Sequence, residues 1–86
     1  MSDYRPIDCG LYSRYEVAIL HHQRLRLRWV DADGTPHLAT LRPEDLQTLA
    51  GEEFLVGTTL DGHPLRLRLD RIHGYETLDD SGTSDA

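Results

Sequence analysis

Apolar positions recur at two different periods along this chain, and the change of period marks its elements. Leu11, Tyr15, Ala18, Ile19 and His22 follow the i, i+4, i+7, i+8 spacing of one helix face turned to a core. Ser13 and Glu16 stand as Ser-x-x-Glu at the head of the apolar run. That spacing predicts a capping box with Ser13 as N-cap, and Tyr12 with Val17 as its hydrophobic staple. Gly10, just before, would let the chain bend. The opposite face collects Ser13, Glu16, Val17 and Leu20, with Tyr12 at its edge. Two readings of that face stay open. The fold wraps further round the helix, or the helix stops before Leu20. Otherwise the face docks on a partner, because apolar surface rimmed by polar groups marks contact sites.

From Gln23 the period falls to two. Over residues 23–30, Leu25, Leu27 and Trp29 alternate with Arg24, Arg26 and Arg28, predicting a strand with one apolar and one basic face. Asp33-Gly34 is a type I′ turn signal, and residues 35–41 are the return strand, with Pro36 near its start. Residues 42–49 are polar, with Pro43 at a helix-starting position, which predicts a short helical turn or an irregular loop. Residues 52–59 form a third strand, bulged or bent at Gly57. Asp61-Gly62 is a second hairpin turn, followed by Pro64 and the alternation Leu65, Leu67, Leu69 against Arg66 and Arg68. Residues 71–77 give a fifth strand with Ile72 inward and a bend at Gly74.

Helix first and five short strands after it predict a mainly β fold with one N-terminal helix. Bends at the glycines close it into a small, strongly bent, five-stranded antiparallel barrel capped by the helix, the arrangement of Sm-like folds. An OB-like barrel usually places its helix between the third and fourth strands. Residues 4–78 make the single domain. Residues 1–3 and the acidic, small-residue stretch 79–86 are expected to be disordered.

Eighty-six residues allow one modest core and no deep cleft. No apolar run is long enough to cross a bilayer, the start MSDYRPID does not read as a signal peptide, and one Cys makes no internal disulfide. A cytoplasmic protein is the expectation, with no membrane partner. The formal net charge is −6, and all nine basic residues are Arg. That balance repels nucleic acid overall and attracts a basic protein surface.

The arginine rows Arg24, Arg26, Arg28, Arg66 and Arg68 read either as a phosphate-tracking patch or as a solvated sheet face offset by Glu52, Glu53 and Asp70. The acidic balance and the lack of aromatics alternating with these arginines favour the second. His21 and His22 are adjacent and point apart, and no His has an HxxxH partner, so no metal site is expected. One of the pair should pack inward and the other sit at the helix end. Cys9 lacks a visible base and is expected to be buried and structural. No triad context, P-loop or dinucleotide fingerprint is present, so neither enzyme activity nor a cofactor is expected.

Tyr4-Arg5-Pro6-Ile7-Asp8-Cys9, then Tyr12, Glu16, Ala18 and His21-His22, resemble the opening of the Rof (YaeO) family of bacterial Rho-binding antiterminators. The resemblance continues through Asp33-Gly34, Asp45-Leu46, Glu53-Phe54-Leu55-Val56, Leu65-Arg66-Leu67 and Leu69-Asp70-Arg71-Ile72, nearly the whole chain except both tails. It implies an Sm-like fold and a protein that binds the N-terminal, RNA-binding domain of the transcription terminator Rho. RNA is then kept from its primary site and termination is suppressed, without catalysis or cofactor. Carried over by position, the contact set implied is Asp8, Tyr12, Ser13, Arg14, Glu16 and Val17, with Leu20 beside them. The loop at Ala50, Gly51 and Glu52 is a second candidate. Where such proteins carry an acidic cluster around Tyr12, this chain has Gly10, Leu11, Ser13 and Arg14. The contact would therefore lean on Tyr12, Val17 and Leu20 more than on charge. A monomer with no direct nucleic-acid contact is expected. The alternative is an Sm-like RNA-binding module that uses the Arg faces and assembles into a ring. An adaptor for some other basic protein would also suit the acidic surface.

Overall fold

The structure, a computed structural model, describes residues 4–78. The disorder expected for residues 1–3 and 79–86 lies outside the described residues.

Asp8, not Ser13, starts the helix. Its carboxylate accepts a hydrogen bond from the Leu11 amide at 3.3 Å and its carbonyl one from Tyr12 at 3.0 Å, so helix α1 (Cys9–Leu20) begins a turn earlier than the capping box predicts. Ser13 falls inside α1. The longer helix adds Leu11 and Tyr12 to the faces that touch the core. At the other end, Gln23 N donates to Ala18 O (2.9 Å) and His22 N to Ile19 O (3.2 Å), a Schellman closure with His22 in the left-handed region at φ 56°. His22 therefore leaves the core stripe, and both His21 and His22 are exposed, against the expectation that one packs inward. Tyr15 and Ala18 are buried as the spacing predicts.

The strands are β1 (Arg24–Val30), β2 (Pro36–Leu49), β3 (Glu52–Thr59), β4 (Pro64–Arg68) and β5 (Ile72–Leu78). They form one antiparallel sheet in the order β4-β3-β2-β1-β5. The stretch 42–49, expected as a short helix or loop, instead continues β2. Its register on β3 shifts between Pro43 and Asp45, so Pro43 sits at a bulge. Beyond the bulge, Leu46 faces Leu55 and Leu49 faces Glu52. A Pro-Glu-Asp start resembles a helix head locally, but pairing with β3 overrides it.

The two Asp-Gly hairpins are not type I′. Asp31 N donates to Thr35 O and Gly34 N to Asp31 O, and the same pair of bonds recurs at Thr59, His63 and Gly62. In each loop only the glycine takes a positive φ (89° and 93°), the three-residue form of a type I turn followed by a left-handed residue. The type I′ geometry occurs instead between β2 and β3, where Ala50 (φ 52°) and Gly51 (φ 81°) are both left-handed. Alanine is strained there. Ala50→Gly is expected to raise stability by about 1 kcal/mol, read as a higher urea midpoint at unchanged slope.

Leu25, Leu27, Leu41, Leu55 and Leu67 line the inner face of the sheet under Tyr15 and Ala18, and Leu69, just past β4, completes the core. The Tyr15 ring meets Tyr75 of β5 edge-on, with centroids 5.7 Å apart. Burial pushes the Tyr15 hydroxyl up to about 12. The sheet must be strongly bent. A 3₁₀ turn (Leu69–Arg71) is all that links β4 to β5, yet those strands are the opposite edges of five. Flat, the edges would stand roughly 19 Å apart, beyond the ~14 Å that the link can span. No ladder joins β4 to β5 among the described residues, so the sheet is bent but not closed by hydrogen bonds into the expected barrel. No helix among the described residues is long and apolar enough to cross a membrane.

Candidate functional site

The outer face of α1 carries the predicted residues Ser13, Glu16, Val17 and Leu20, all exposed. Val17 is 49% and Leu20 74% exposed. The fold therefore does not wrap round this face, and Leu20 is still helical. Two shallow depressions flank the ridge. One, of about 410 Å³, is lined by Tyr12, Glu16, Ile19, Leu20, Asp45 and Leu46. The other, of about 280 Å³, is lined by Ser13, Arg14, Val17, Gln23, Tyr75 and Thr77. The predicted set is thus divided. Tyr12, Glu16 and Leu20 border the first depression, and Ser13, Arg14 and Val17 the second. Arg14 donates to the Tyr75 hydroxyl at 3.2 Å.

The bulge in β2 decides what the first depression contains. By inserting a residue it aims Asp45 and Leu46 at the helix, next to Tyr12 and Glu16. Burial pushes the Tyr12 hydroxyl above its ordinary value, and the negative charges of Glu53, Glu16 and Asp45 push it further. Tyr12 thus stands within the field of three carboxylates. Asp45 and Glu53 were not among the sequence candidates, since a bulge signal at Pro43 was needed to place Asp45 here. Tyr4, from the entry segment, donates to Glu53 Oε1 at 2.7 Å and lies against the Arg68 guanidinium at 5.7 Å. The Tyr4 hydroxyl is pushed well up by burial and by Glu53.

Asp8 stands at the helix head with its carboxylate committed to the cap. Gly51 and Glu52 lie at the β2–β3 turn, and Glu52 accepts from Arg68 at 3.4 Å. Cys9 is exposed at the first helical position, not buried as expected. No group of three or more His, Cys, Asp or Glu among the described residues is placed to hold a metal ion.

The arginine faces are largely matched. Arg68 is held by Asp70 at 2.6 and 2.8 Å and by Glu52, as the offset reading predicts, while Glu53 turns to Tyr4. Arg26 meets Glu76 at 3.6 Å, and Arg66 lies over the Phe54 ring at 5.1 Å. Burial alone would raise the Asp70 carboxyl, but bonds from Arg68 and from the Arg5 amide outweigh it and hold it below the usual range. The Asp31 carboxyl is also held well below the usual range, by its interaction with the Asp33 side chain and by His37. These folded-state values lie below the unfolded ones, so the stabilisation is present above about pH 4 and is lost as pH falls through the acid range. The melting temperature should therefore drop from pH 6 to pH 3, and Asp70→Asn should flatten that drop.

No known family profile matches this chain, and no curated protein matches it significantly. Among solved structures it is similar to proteasome accessory factor B/C (PafBC) of Arthrobacter aurescens, with a TM-score of 0.73 at 18% identity. The match covers 99% of this chain and 14% of that one. At that identity the likeness establishes the fold alone.

Proposed function

We infer that this chain is a Rho-binding antiterminator of the Rof type: a non-catalytic, cytoplasmic, monomeric protein whose α1 ridge covers the RNA-binding surface of Rho and blocks loading of RNA. The observation that carries the reading is the outer face of α1. It presents exposed Val17 and Leu20 beside a tyrosine set among Glu16, Asp45 and Glu53. An apolar ridge with an acidic flank suits a surface built to hold RNA, because such a surface is basic and offers stacking partners for Tyr12. Arg and Lys side chains there would meet the three carboxylates and lie against the Tyr12 ring. The altered helix head agrees with this division of labour, since β2 and β3 supply carboxylates where α1 lacks them. Helix first, then five antiparallel strands in one strongly bent sheet, supports the Sm-like reading, with bending in place of a closed ladder.

The test is calorimetric titration of the chain into purified Rho from the same organism, with and without a pyrimidine-rich RNA. Binding that the RNA competes away supports the reading. No binding at low salt overturns it.

A further inference from the structure

A further open depression lies away from α1, at the end of the sheet where β1 turns into β2 and β5 begins. It measures about 540 Å³ and is lined by Arg28, Trp29, Val30, Pro36, His37, Leu38 and His73. Like the depressions beside α1 it is shallow and open to solvent, so it could cover one side of a ligand rather than enclose it. It shares Arg28 and Leu38 with a second depression of about 490 Å³ along β1 and β5 that is also lined by Arg26, Gly74, Tyr75 and Glu76.

Trp29 and Arg28 are neighbours on β1 and project to opposite faces, so they come together only where the depression rounds the open end of the sheet. Three features of that end point to one ligand chemistry. The first is a flat aromatic wall. Trp29 and His37 face each other across β1 and β2 and their rings stack, with centroids 5.3 Å apart and planes 16° apart. His37 is held in place by Asp31 at 2.9 Å, yet its side chain is still 42% exposed, which leaves the stack open to a further ring. The second is a positioned cation. The Arg28 guanidinium covers Gly74 of β5, with three of its atoms within 3.1 Å of where a Cβ would stand. Only glycine at that register leaves room for it. Unlike Arg26, which has Glu76, and Arg68, which has Asp70, Arg28 has no acidic partner among the described residues. The third is apolar padding, with Leu38 63% exposed at the junction of the two depressions. Glu76 and Asp31 are the acidic groups nearby, and each is engaged, by Arg26 and His37 respectively.

We propose that this groove binds a nucleotide unit, with its base stacked on the Trp29–His37 pair and its phosphate on Arg28. A stacking wall beside an unmatched arginine is the combination that single-strand binders use, because every base has a π face and every unit a phosphate. A chain of net charge −6 can host such a site because the field that matters is local. The linear pattern hides it: Trp29 is the only aromatic beside the arginine row, and His37 and His73 join it only through strand pairing. The unit could come from a free nucleotide or from one residue of a single strand.

Trp29 is the chain's one tryptophan, so its fluorescence reports this groove directly. The full chain would be titrated at low salt with uridine monophosphate, with an oligouridylate about ten nucleotides long, and with inorganic phosphate. Saturable quenching that weakens with salt is expected. Arg28→Gln should weaken binding by about tenfold. Gly74→Ala should do the same, because it displaces the guanidinium while the charge remains. Tyr12→Ala should leave the titration unchanged. Quenching by the mononucleotide as strong as by the oligomer would assign a free nucleotide, and quenching by the oligomer alone a strand. No quenching by either, quenching by phosphate as strong as by nucleotide, or a titration insensitive to both variants would overturn the proposal.

Discussion

Tyr12→Ala is expected to abolish detectable binding to Rho on the proposed reading, with the fold intact. The ring stands at the border between the exposed ridge of α1 and the carboxylates of β2 and β3, and its contact with the core is partial. A buried anchor of this kind at a protein interface is worth about 2–4 kcal/mol, a loss of roughly 30- to 1,000-fold in affinity. Glu16→Lys should act as strongly by a different route. It places a cation opposite a basic surface and reverses the charge beside Tyr12, so its effect should shrink as salt is raised, while that of Tyr12→Ala should not. Circular dichroism should match the parent for both. The thermal transition should be unchanged for Glu16→Lys, because Glu16 is exposed, and somewhat lower for Tyr12→Ala, which loses a half-buried ring packed against the core. Parent-like affinity in both variants would remove α1 from the interface.

Gly57→Ala is expected to be the most damaging of the small substitutions. Gly57 is buried on β3 opposite Pro43, where the β2 bulge brings the strands together. A Cβ there would overlap the backbone carbonyl oxygen of Arg42 and come within 2.8 Å of Leu41 Cγ. Neither can yield cheaply. One is backbone in a ladder, and the other belongs to a fully buried side chain. The cost should reach about 3 kcal/mol, a large share of the stability of a domain this small. Gly74→Ala offers the comparison: there the obstructing atoms belong to a flexible arginine head, and the loss should stay below about 1 kcal/mol. Urea midpoints for the two variants would decide it, and equal values would refute the argument.

Much of the architecture was legible because two periods dominate the chain. Tyr15 and Ala18 at helical spacing, and Leu25, Leu27, Leu67 and Leu69 at a spacing of two, are buried as their patterns require, while Leu65 is only half-buried. The errors share a cause, which is that local chemistry offered two answers and tertiary pairing chose. Asp8 and Ser13 are both good N-caps, and the earlier one extends the apolar face that meets the core. Pro43-Glu44-Asp45 suits a helix head equally well as a bulge, and only the partner strand β3 settles which forms. The same bulge explains the partly legible site. Tyr12, Glu16, Val17 and Leu20 lie on one helix face and follow from spacing alone. Asp45 and Glu53 join them through strand register, which a single element does not encode.

The short link from β4 to β5 also bears on the order in which the chain folds. β1 through β4 are joined by three tight hairpins, each closed by local contacts. β5 must instead pair with β1 across some fifty residues, as in Leu25 with Thr77 and Leu27 with Tyr75. Its docking carries the largest loop-closure entropy in the sheet and depends on a bend that exists only once the meander has formed. β5 is therefore the last strand to arrive and the first to leave. Weakening its contact with Tyr15, by Tyr75→Leu for instance, should steepen the loss of the native state through faster unfolding, with the folding rate little changed. The bent sheet thus sets the lifetime of the native fold through one edge strand, separately from the speed at which the fold is reached.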